Sequence, residues 1–335
     1  MVHKARSASK VRVRCNPERE GALTPHSMPC YVIDRLSFIG FDSMVSTRMQ
    51  GKVMRRWVAD DDVEAAVARI ELPFNRYGLD HYGISRDHLV TFFSMLAPFY
   101  RRYFSVRVFG AEHIPEKGRT MVVGNHSGGL PVDGAMVLTS LLLELDPPRL
   151  GQGMVEKFAN RWPFLSHWFS RVGQFTGLPE HARRLLEDER CLMVFPEGAR
   201  GTGKLYKDRY NLVRFGTGFM RLALSTNTPI VPFAFIGGEE ALPTIMHLKR
   251  LARVINVPYI PISPYVVPVP LPIPCQIFYG KPMEFDGDGS ETDEVVIGYV
   301  GQVRAEIERL IDKGRSWRRE ALQQGVIGEA DEVAT

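Results

Sequence analysis

The chain has 335 residues, of which 44% are hydrophobic and 24% are charged, and its formal net charge is +4. This composition supports a sizeable buried core and argues against a wholly disordered chain. The mildly basic balance is compatible with an anionic membrane surface or a phosphate-bearing substrate, and it requires neither. None of the four cysteines forms a CxxC pair, so no zinc site or disulfide framework is indicated and we expect no metal.

Residues 1–85 are predicted to form a basic arm followed by a helical extension. No apolar run follows the basic residues at the start of the chain, so we do not expect a secretory signal. The arm is either a solvated tail or a weak electrostatic tether to anionic lipid. Further along, the acidic run that begins at Asp60 favours the start of a helix over 60–70.

The segment 88–104, HLVTFFSMLAPFYRRYF, is strongly apolar and aromatic. It is too short and too charged at its end to cross a bilayer, so we expect either a helix packed on the core or one that lies on a membrane. The longest uncharged stretch, 254–280, holds repeated prolines that exclude a helix, and it is either buried or in contact with lipid. We therefore expect no transmembrane helix.

From residue 105 onward, apolar strands alternate with helical patterns. We predict strands at 105–110, 120–125, 191–195, 229–236 and 275–280, and helices at 131–145, 156–172, 181–188, 211–225 and from 295 to 310. Such alternation predicts an α/β fold with a mostly parallel central sheet flanked by helices. We place this domain at 86–315, before a C-terminal tail at 316–335. Sites in such sheets collect at the carboxyl ends of strands.

The block GNHSGGLPVD (124–133) follows the second of these strands. It delivers His126 to the carboxyl end of a strand and places Asp133 in the first turn of the next helix. A neutral imidazole removes the proton of an attacking hydroxyl, and a carboxylate on its other nitrogen fixes its tautomer. Backbone N–H groups near Gly128 and Gly129 are candidates for an oxyanion hole.

Two later blocks also end strands. VFPEGARG (194–201) presents Arg200, whose planar fork suits a phosphate, and Glu197, which either orients that arginine or positions an acceptor. PIVPFAF (229–235) is an apolar strand with an internal proline. We expect Pro232 to mark an edge, a bulge or a strand end, and to help shape a pocket.

In this order and spacing, the three blocks resemble those of the glycerolipid acyltransferase superfamily, the lysophosphatidate and glycerol-phosphate acyltransferases. The resemblance covers residues 88–312. It implies His126 as general base and Asp133 as its partner. It also implies contacts to an acceptor phosphate from a set of three residues, Glu197, Gly198 and Arg200, and it places Lys157, in MVEKF, where the family often has a lysine.

The resemblance further implies an O-acyltransferase without a cofactor. Its donor would be acyl-CoA or an acyl-carrier protein, its acceptor a glycerolipid hydroxyl, and its surroundings the lipid surface on the cytoplasmic face of a membrane. No nucleic acid is implied. Six residues separate His126 from Asp133, where the family usually has four, and the LPVD ending is similar to a branch that uses mono- or diacylglycerol. The family's GxxFxxR block has no good match here.

Three other functions stay open at the level of sequence. GARGTGK (198–204) matches a P-loop pattern, but Leu205 replaces the Ser or Thr that binds magnesium, so any such site is degenerate. A serine hydrolase lacks its GxSxG elbow here. A non-enzymatic lipid-binding protein would explain the proline-rich segment and the aromatic helix, but it assigns no task to His126 and Asp133.

Overall fold

A computed structural model describes most of the chain after the basic arm. The described residues are 59–128, 130–155, 163–176, 178–248, 252, 259–265 and 269–327. The arm and the two predicted site residues Gly129 and Lys157 lie outside them.

Seven strands form one sheet and two short strands form a separate pair. The strands are β1 (Arg107–Phe109), β2 (Thr120–Gly124), β3 (Gly151–Val155), β4 (Phe175–Thr176), β5 (Cys191–Val194), β6 (Ile230–Ile236), β7 (Met246–His247), β8 (Pro261–Ile262) and β9 (Gln276–Tyr279). The large sheet has the order β1-β9-β6-β2-β5-β3-β4, and β7 pairs with β8. All neighbours in the large sheet are parallel except β6 and β9. The predicted α/β class with a mostly parallel sheet is therefore confirmed.

Helices connect these strands. They are α1 (Asp61–Arg69), α2 (Arg86–Pro98), α3 (Val132–Leu143), α4 (Pro163–Arg171), α5 (Pro179–Glu187), α6 (Ala199–Thr202), α7 (Gly218–Ser225), α8 (Gly238–Ala241) and α9 (Asp293–Gln323). The predicted start of the first helix is correct, because the Asp60 side chain accepts the backbone N–H of Val63 at 3.1 Å as an N-cap.

Two helix boundaries differ from the sequence predictions, and two short strands were not predicted. The helix expected over 211–225 begins only at Gly218, because the preceding residues form a loop whose backbone N–H groups bond to the end of β5 and to Glu197. The strands β3 and β4 were not predicted, since GQGMV and FT are too short and too poor in β-branched residues to stand out. Helix α9 continues to Gln323, into the segment expected to be a tail.

Of the alternatives expected for Pro232, the edge is wrong, because β6 is an internal strand with neighbours on both sides, whereas the bulge is confirmed. Proline is accommodated where the antiparallel partner stops. Phe233 pairs with Tyr279, the last residue of β9, and the carbonyl of Pro232 accepts the N–H of Gly280 at 2.8 Å. Pairing resumes at Ile230 and Met283, so two residues of β6 oppose three of its partner. Pro232 lies in this bulge, which is a position that tolerates the N–H that proline lacks.

The core lies between the sheet and the helices on its faces, and every residue of β2, β5, β6 and β9 is buried. The sequence left open whether α2 packs on the core or lies on a membrane. In the structure, the helix buries Leu89, Val90 and Phe93 in this core. Met95, on another side of the helix, is 46% exposed. Among the described residues, no helix is long and apolar enough to cross a membrane.

Helix α9 contacts the sheet through a glycine. A Cβ on Gly314 would lie 2.6 Å from Cγ1 of Ile236 and 3.0 Å from Cδ2 of Phe278, and both of these side chains are fully buried or nearly so. Gly301, on the exposed side of the same helix, has open space where a Cβ would be.

We predict opposite effects from the same substitution at these two positions. Gly301→Ala should raise the free energy of unfolding by up to about 1 kcal/mol, because alanine has the higher helix propensity. Gly314→Ala gains the same propensity but overpacks the interface, which typically costs about 1–3 kcal/mol, so it should be clearly less stable than Gly301→Ala. Urea denaturation of both variants measures the difference. Equal stabilities would contradict the close approach of α9 to the sheet.

Candidate active site

Three adjacent parallel strands bring the conspicuous blocks to one edge of the sheet. In the order β6-β2-β5, the strands run in the same direction, so their carboxyl ends meet there. Asn125 and His126 follow β2, Phe195 follows β5, and the turn at Gly237 follows β6. This edge is the place at which open α/β sheets usually carry their sites.

His126 and Asp133 meet despite the long loop between them. The ring Nδ1 of His126 lies 2.7 Å from Oδ2 of Asp133. The carboxylate side chain is fully buried, whereas the imidazole remains 15% exposed. Because the carboxylate accepts a hydrogen bond from Nδ1–H, the lone pair of the neutral ring is on Nε2, the nitrogen that a base would use.

Backbone groups hold the Asp133 carboxylate in place. The N–H of Ser127 donates to its Oδ2 at 2.7 Å and the N–H of Gly134 to its Oδ1 at 2.7 Å. Gly128 adopts a φ of +66°, and a Cβ there would collide with the carbonyl oxygen of Gly238. Glycine is therefore required at the turn that returns the chain to Asp133. Gly128 lies beside the His126–Asp133 pair, and Gly129 is outside the described residues.

Glu197, a predicted contact of the acceptor phosphate, is directed into the protein interior and binds backbone groups. It is 1% exposed. The backbone N–H of His126 donates to its Oε1 at 2.9 Å, and the N–H of Val213 donates to its Oε2 at 2.8 Å. Both oxygens are thus engaged, and a further anion beside them would be repelled. Glu197 instead ties the loop that carries His126 to the loop after α6.

Gly198 also serves the turn. Its φ of +56° and ψ of −155° suit glycine, and its N–H donates to the carbonyl of Phe195 at 3.0 Å. That N–H is therefore committed within the turn, so the predicted contact from Gly198 to a phosphate is not supported. Arg200 is exposed, and its guanidinium donates to the carbonyl of Arg214 at 3.1 Å rather than to Glu197. It is the member of the predicted phosphate set that faces solvent.

A buried cation lies behind this loop. The Nζ of Lys204 is 3.5 Å from Oε2 of Glu197 and 3.6 Å from Oε1 of Glu239, and all three side chains are almost completely buried. Burial raises the pKa of Glu239 to about 7, Lys204 opposes this shift, and the neighbouring Glu240 adds to it. The cluster connects the chain after β5 to the chain after β6, next to the loop that carries His126.

Sequence reasoning missed several residues that build the site. Phe195 stacks on the ring of His126, with centroids 4.0 Å apart and an interplanar angle of 13°. The amide of Asn125 donates to the carbonyl of Phe235 at 3.0 Å and accepts its N–H at 2.8 Å, which pins the end of β2 to β6. The available signal for Asn125 and Phe195 was their position in the two blocks, close to His126 and Glu197. Nothing in the segment GEEA (238–241) indicated that Glu239 would be buried beside the site.

Comparison with known proteins relates residues 105–236 to a family. Residues 105–236 match the family model described as Acyltransferase, and this segment contains the His126–Asp133 pair and the Glu197 turn. Residues 105–236 are therefore similar to the acyltransferase family, which agrees with the resemblance of the three blocks to the glycerolipid acyltransferase superfamily.

Similar proteins occur in mycobacteria. An uncharacterised protein of Mycobacterium tuberculosis (strain H37Rv) is 35% identical over 235 residues, which cover 67% of this chain and 66% of that protein. An uncharacterised protein of Mycobacterium leprae is 34% identical over 232 residues, with coverages of 66% and 63%. The chain thus spans just under two thirds of the length of these relatives. The crystal structure of the 1-acyl-sn-glycerophosphate acyltransferase PlsC from Thermotoga maritima is 18% identical, with coverages of 67% and 82% and a TM-score of 0.44.

The raised pKa of Glu239 predicts a pH dependence of stability. Its value of about 7 in the folded protein exceeds the ordinary value of 4.5, so the native state holds this proton more tightly than the unfolded chain does. The contribution to stability is complete below about pH 4.5 and is lost as the pH rises through about 7. Glu239→Gln should therefore flatten the fall in the free energy of unfolding between pH 5 and pH 8, as measured by urea denaturation.

The control for this prediction is Glu294→Gln, which changes an exposed acid in the first turn of α9. Its stability curve should run parallel to that of the wild type. If the Glu239→Gln curve is also parallel, the folded protein does not hold that proton.

Proposed function

We propose that this chain is an O-acyltransferase that moves a fatty acyl group from acyl-CoA or an acyl-carrier protein to a hydroxyl of a glycerolipid. Lysophosphatidate and mono- or diacylglycerol are the acceptors that we consider. The observation that carries the proposal is the 2.7 Å contact between His126 Nδ1 and the buried carboxylate of Asp133, at the carboxyl edge of the sheet.

The proposed reaction is direct transfer without an acyl-enzyme. Nε2 of His126 removes the proton of the acceptor hydroxyl, and the oxygen of that hydroxyl attacks the carbonyl carbon of the thioester. The tetrahedral intermediate then collapses, the C–S bond breaks, and the thiolate takes the proton back from the imidazolium. Asp133 stabilises the imidazolium between these steps. Backbone N–H groups at the Gly128 turn are our candidates for holding the oxyanion, together with those of Gly129.

An apolar groove at the carboxyl end of β5 supports a lipid substrate. It has a volume of about 660 Å³, in the range of small-molecule sites, and is lined mainly by apolar side chains. These include Met154, Ala182, Val194, Phe219 and Leu222. Val194 and Pro196 line the groove, whereas Phe195, which lies between them in the chain, stacks on His126 and does not line it. We propose that the acyl chain lies in this groove, with its carbonyl next to the imidazole.

Arg200 supports an acceptor that bears a phosphate. Its guanidinium is exposed on α6, and the next residue, Gly201, packs against His126, since a Cβ on it would lie 2.8 Å from that of His126. A planar cation this close to the base suits a phosphate on the acceptor. The role of Lys157 in substrate binding stays a prediction.

The structure gives the rival functions little support. Lys204, the lysine of the P-loop pattern, is buried between two carboxylates and is not directed at a nucleotide phosphate. Ser127 is 1% exposed, so it is not presented as the nucleophile of a hydrolase. A non-enzymatic lipid-binding protein would use the groove but would leave the His126–Asp133 pair without a function.

His126→Ala should lower the turnover number by roughly 10²–10⁴-fold, because the variant lacks the base. The variant should still fold, since Glu197 binds the backbone N–H of residue 126 and not its ring. The assay incubates the full-length protein and labelled acyl-CoA with lysophosphatidate, monoacylglycerol, diacylglycerol and a fatty alcohol, and follows the labelled ester.

The matched control is the neighbouring variant Ser127→Ala, which should keep its activity. Full activity of His126→Ala would refute the assignment of the base. Loss of activity in Ser127→Ala with retention in His126→Ala would favour a serine nucleophile, and ester formation with none of the acceptors would favour a binding protein.

Gly218→Leu should shorten the acyl chain that the protein accepts. Gly218 lines the groove and has open space where a Cβ would be, so leucine would occupy volume that we assign to the chain. We expect the ratio of kcat/KM for long and short acyl donors to fall by about tenfold, since a few methylene contacts are lost. Gly301→Leu, on the exposed side of α9, is the control. An unchanged ratio in Gly218→Leu would remove the groove from the acyl site.

A further inference from the structure

An exposed apolar edge lies next to the catalytic loop. The strands β7 and β8 form a small antiparallel pair outside the main sheet, in which Ile245 N–H donates to the Ile262 carbonyl at 2.9 Å. Ile245, Met246 and Leu248 on this pair are 50%, 53% and 38% exposed. We call these three residues the apolar edge. Large apolar side chains grouped in this way on a surface mark a site of interaction.

The apolar edge is attached to the loop that carries the site. His247 Nε2 lies 2.9 Å from the carbonyl oxygen of Gly203, and the hydroxyl of Tyr259 bonds to that of Thr202. Thr202 and Gly203 directly follow Gly201, which packs against His126. The pair of strands therefore lies against α6, and α6 in turn packs against the proposed base.

Exposed cations adjoin the apolar edge. The N–H of Tyr206 donates to the carbonyl of Thr244 at 2.8 Å, which places the turn 206–208 beside the start of the edge. Across 200–214, four cations are exposed against one exposed acid, Asp208. These cations are Arg200, Lys207, Arg209 and Arg214. In the sequence that joins β7 to β8, 248–260, three further basic residues and no acid stand among apolar residues.

We infer that this face, the apolar edge with its surrounding cations, docks the protein on an anionic lipid bilayer. The chemistry fits that partner, since apolar side chains insert at the boundary between headgroups and acyl chains while cations pair with anionic headgroups. A protein partner would also cover apolar residues, but the positive charge around them favours a uniformly anionic surface. The inference deepens the proposed function and rests on it for its purpose, because it sets His126 against the layer in which a glycerolipid acceptor resides.

Vesicle flotation of the full-length protein tests this inference, with phosphatidylcholine alone and with phosphatidylcholine mixed with phosphatidylglycerol. The wild type should bind the mixed vesicles, and added salt should weaken this binding because it screens the cations. Ile245→Asp combined with Met246→Asp should weaken binding by about tenfold or more, as expected when inserted apolar area is lost. Ile297→Asp changes an isoleucine of similar exposure on α9 and should leave binding unchanged.

A second pair of variants tests the contribution of the cations to vesicle binding. Lys207→Gln combined with Arg209→Gln should weaken binding to the mixed vesicles more than Lys313→Gln combined with Arg319→Gln, which removes two exposed cations from α9. Circular dichroism and thermal melting establish that each variant is folded. Because the basic arm is present in every variant, its contribution cancels in the comparison.

Three outcomes would overturn the inference. These are a wild type that does not bind the mixed vesicles, apolar-edge variants that bind as the wild type does, and a control that loses binding to the same extent. A change of oligomeric state in the apolar-edge variants, without a change in vesicle binding, would assign the face to a second copy of the chain. The test uses neither donor nor acceptor, and His126→Ala should float like the wild type. A failure of docking is therefore distinguishable from a failure of the proposed transfer reaction.

Discussion

The geometry of the site depends on one buried carboxylate. Asp133 accepts N–H groups from the ring of His126 and from the backbone of Ser127 and Gly134, with all three distances at 2.7 Å. A carboxylate removed from water is costly unless it is surrounded by donors in this way. Its burial therefore fixes the path of the loop after β2, and the same bonds that satisfy the charge hold the imidazole in one tautomer.

A second carboxylate supports the arrangement from the other side. Glu197 fastens the backbone of His126 to the loop at Val213, and Lys204 compensates the charge of Glu197 and Glu239 in the interior. The buried charges near His126 therefore maintain the position of its loop, and the exposed guanidinium of Arg200 is the group that we propose meets a ligand. The division explains how acidic residues can lie beside a site that we propose for anionic lipids.

The sequence predicted the fold class, the main strands and the His126–Asp133 contact, because hydrophobic periodicity and strand-end motifs are local signals. It did not predict the roles of Glu197 and Gly198, since a motif shows that a residue is near a site but not which way its polar atoms point. The short strands β3 and β4 and the internal position of Pro232 depend on long-range pairing, which leaves no local trace. The buried partnership of Lys204 with Glu239 depends in the same way on the end of a distant strand.

The reversed strand β9 has a consequence for the assembly of the sheet during synthesis. It pairs with β6 on one side and with β1, more than a hundred residues earlier in the chain, on the other. Until β9 leaves the ribosome, the fully apolar β6 has an open edge with unpaired backbone groups, and β1 has no partner in the sheet. Completion of the sheet therefore waits for the last third of the chain, which makes the nascent protein a natural client for chaperones that shield exposed strands.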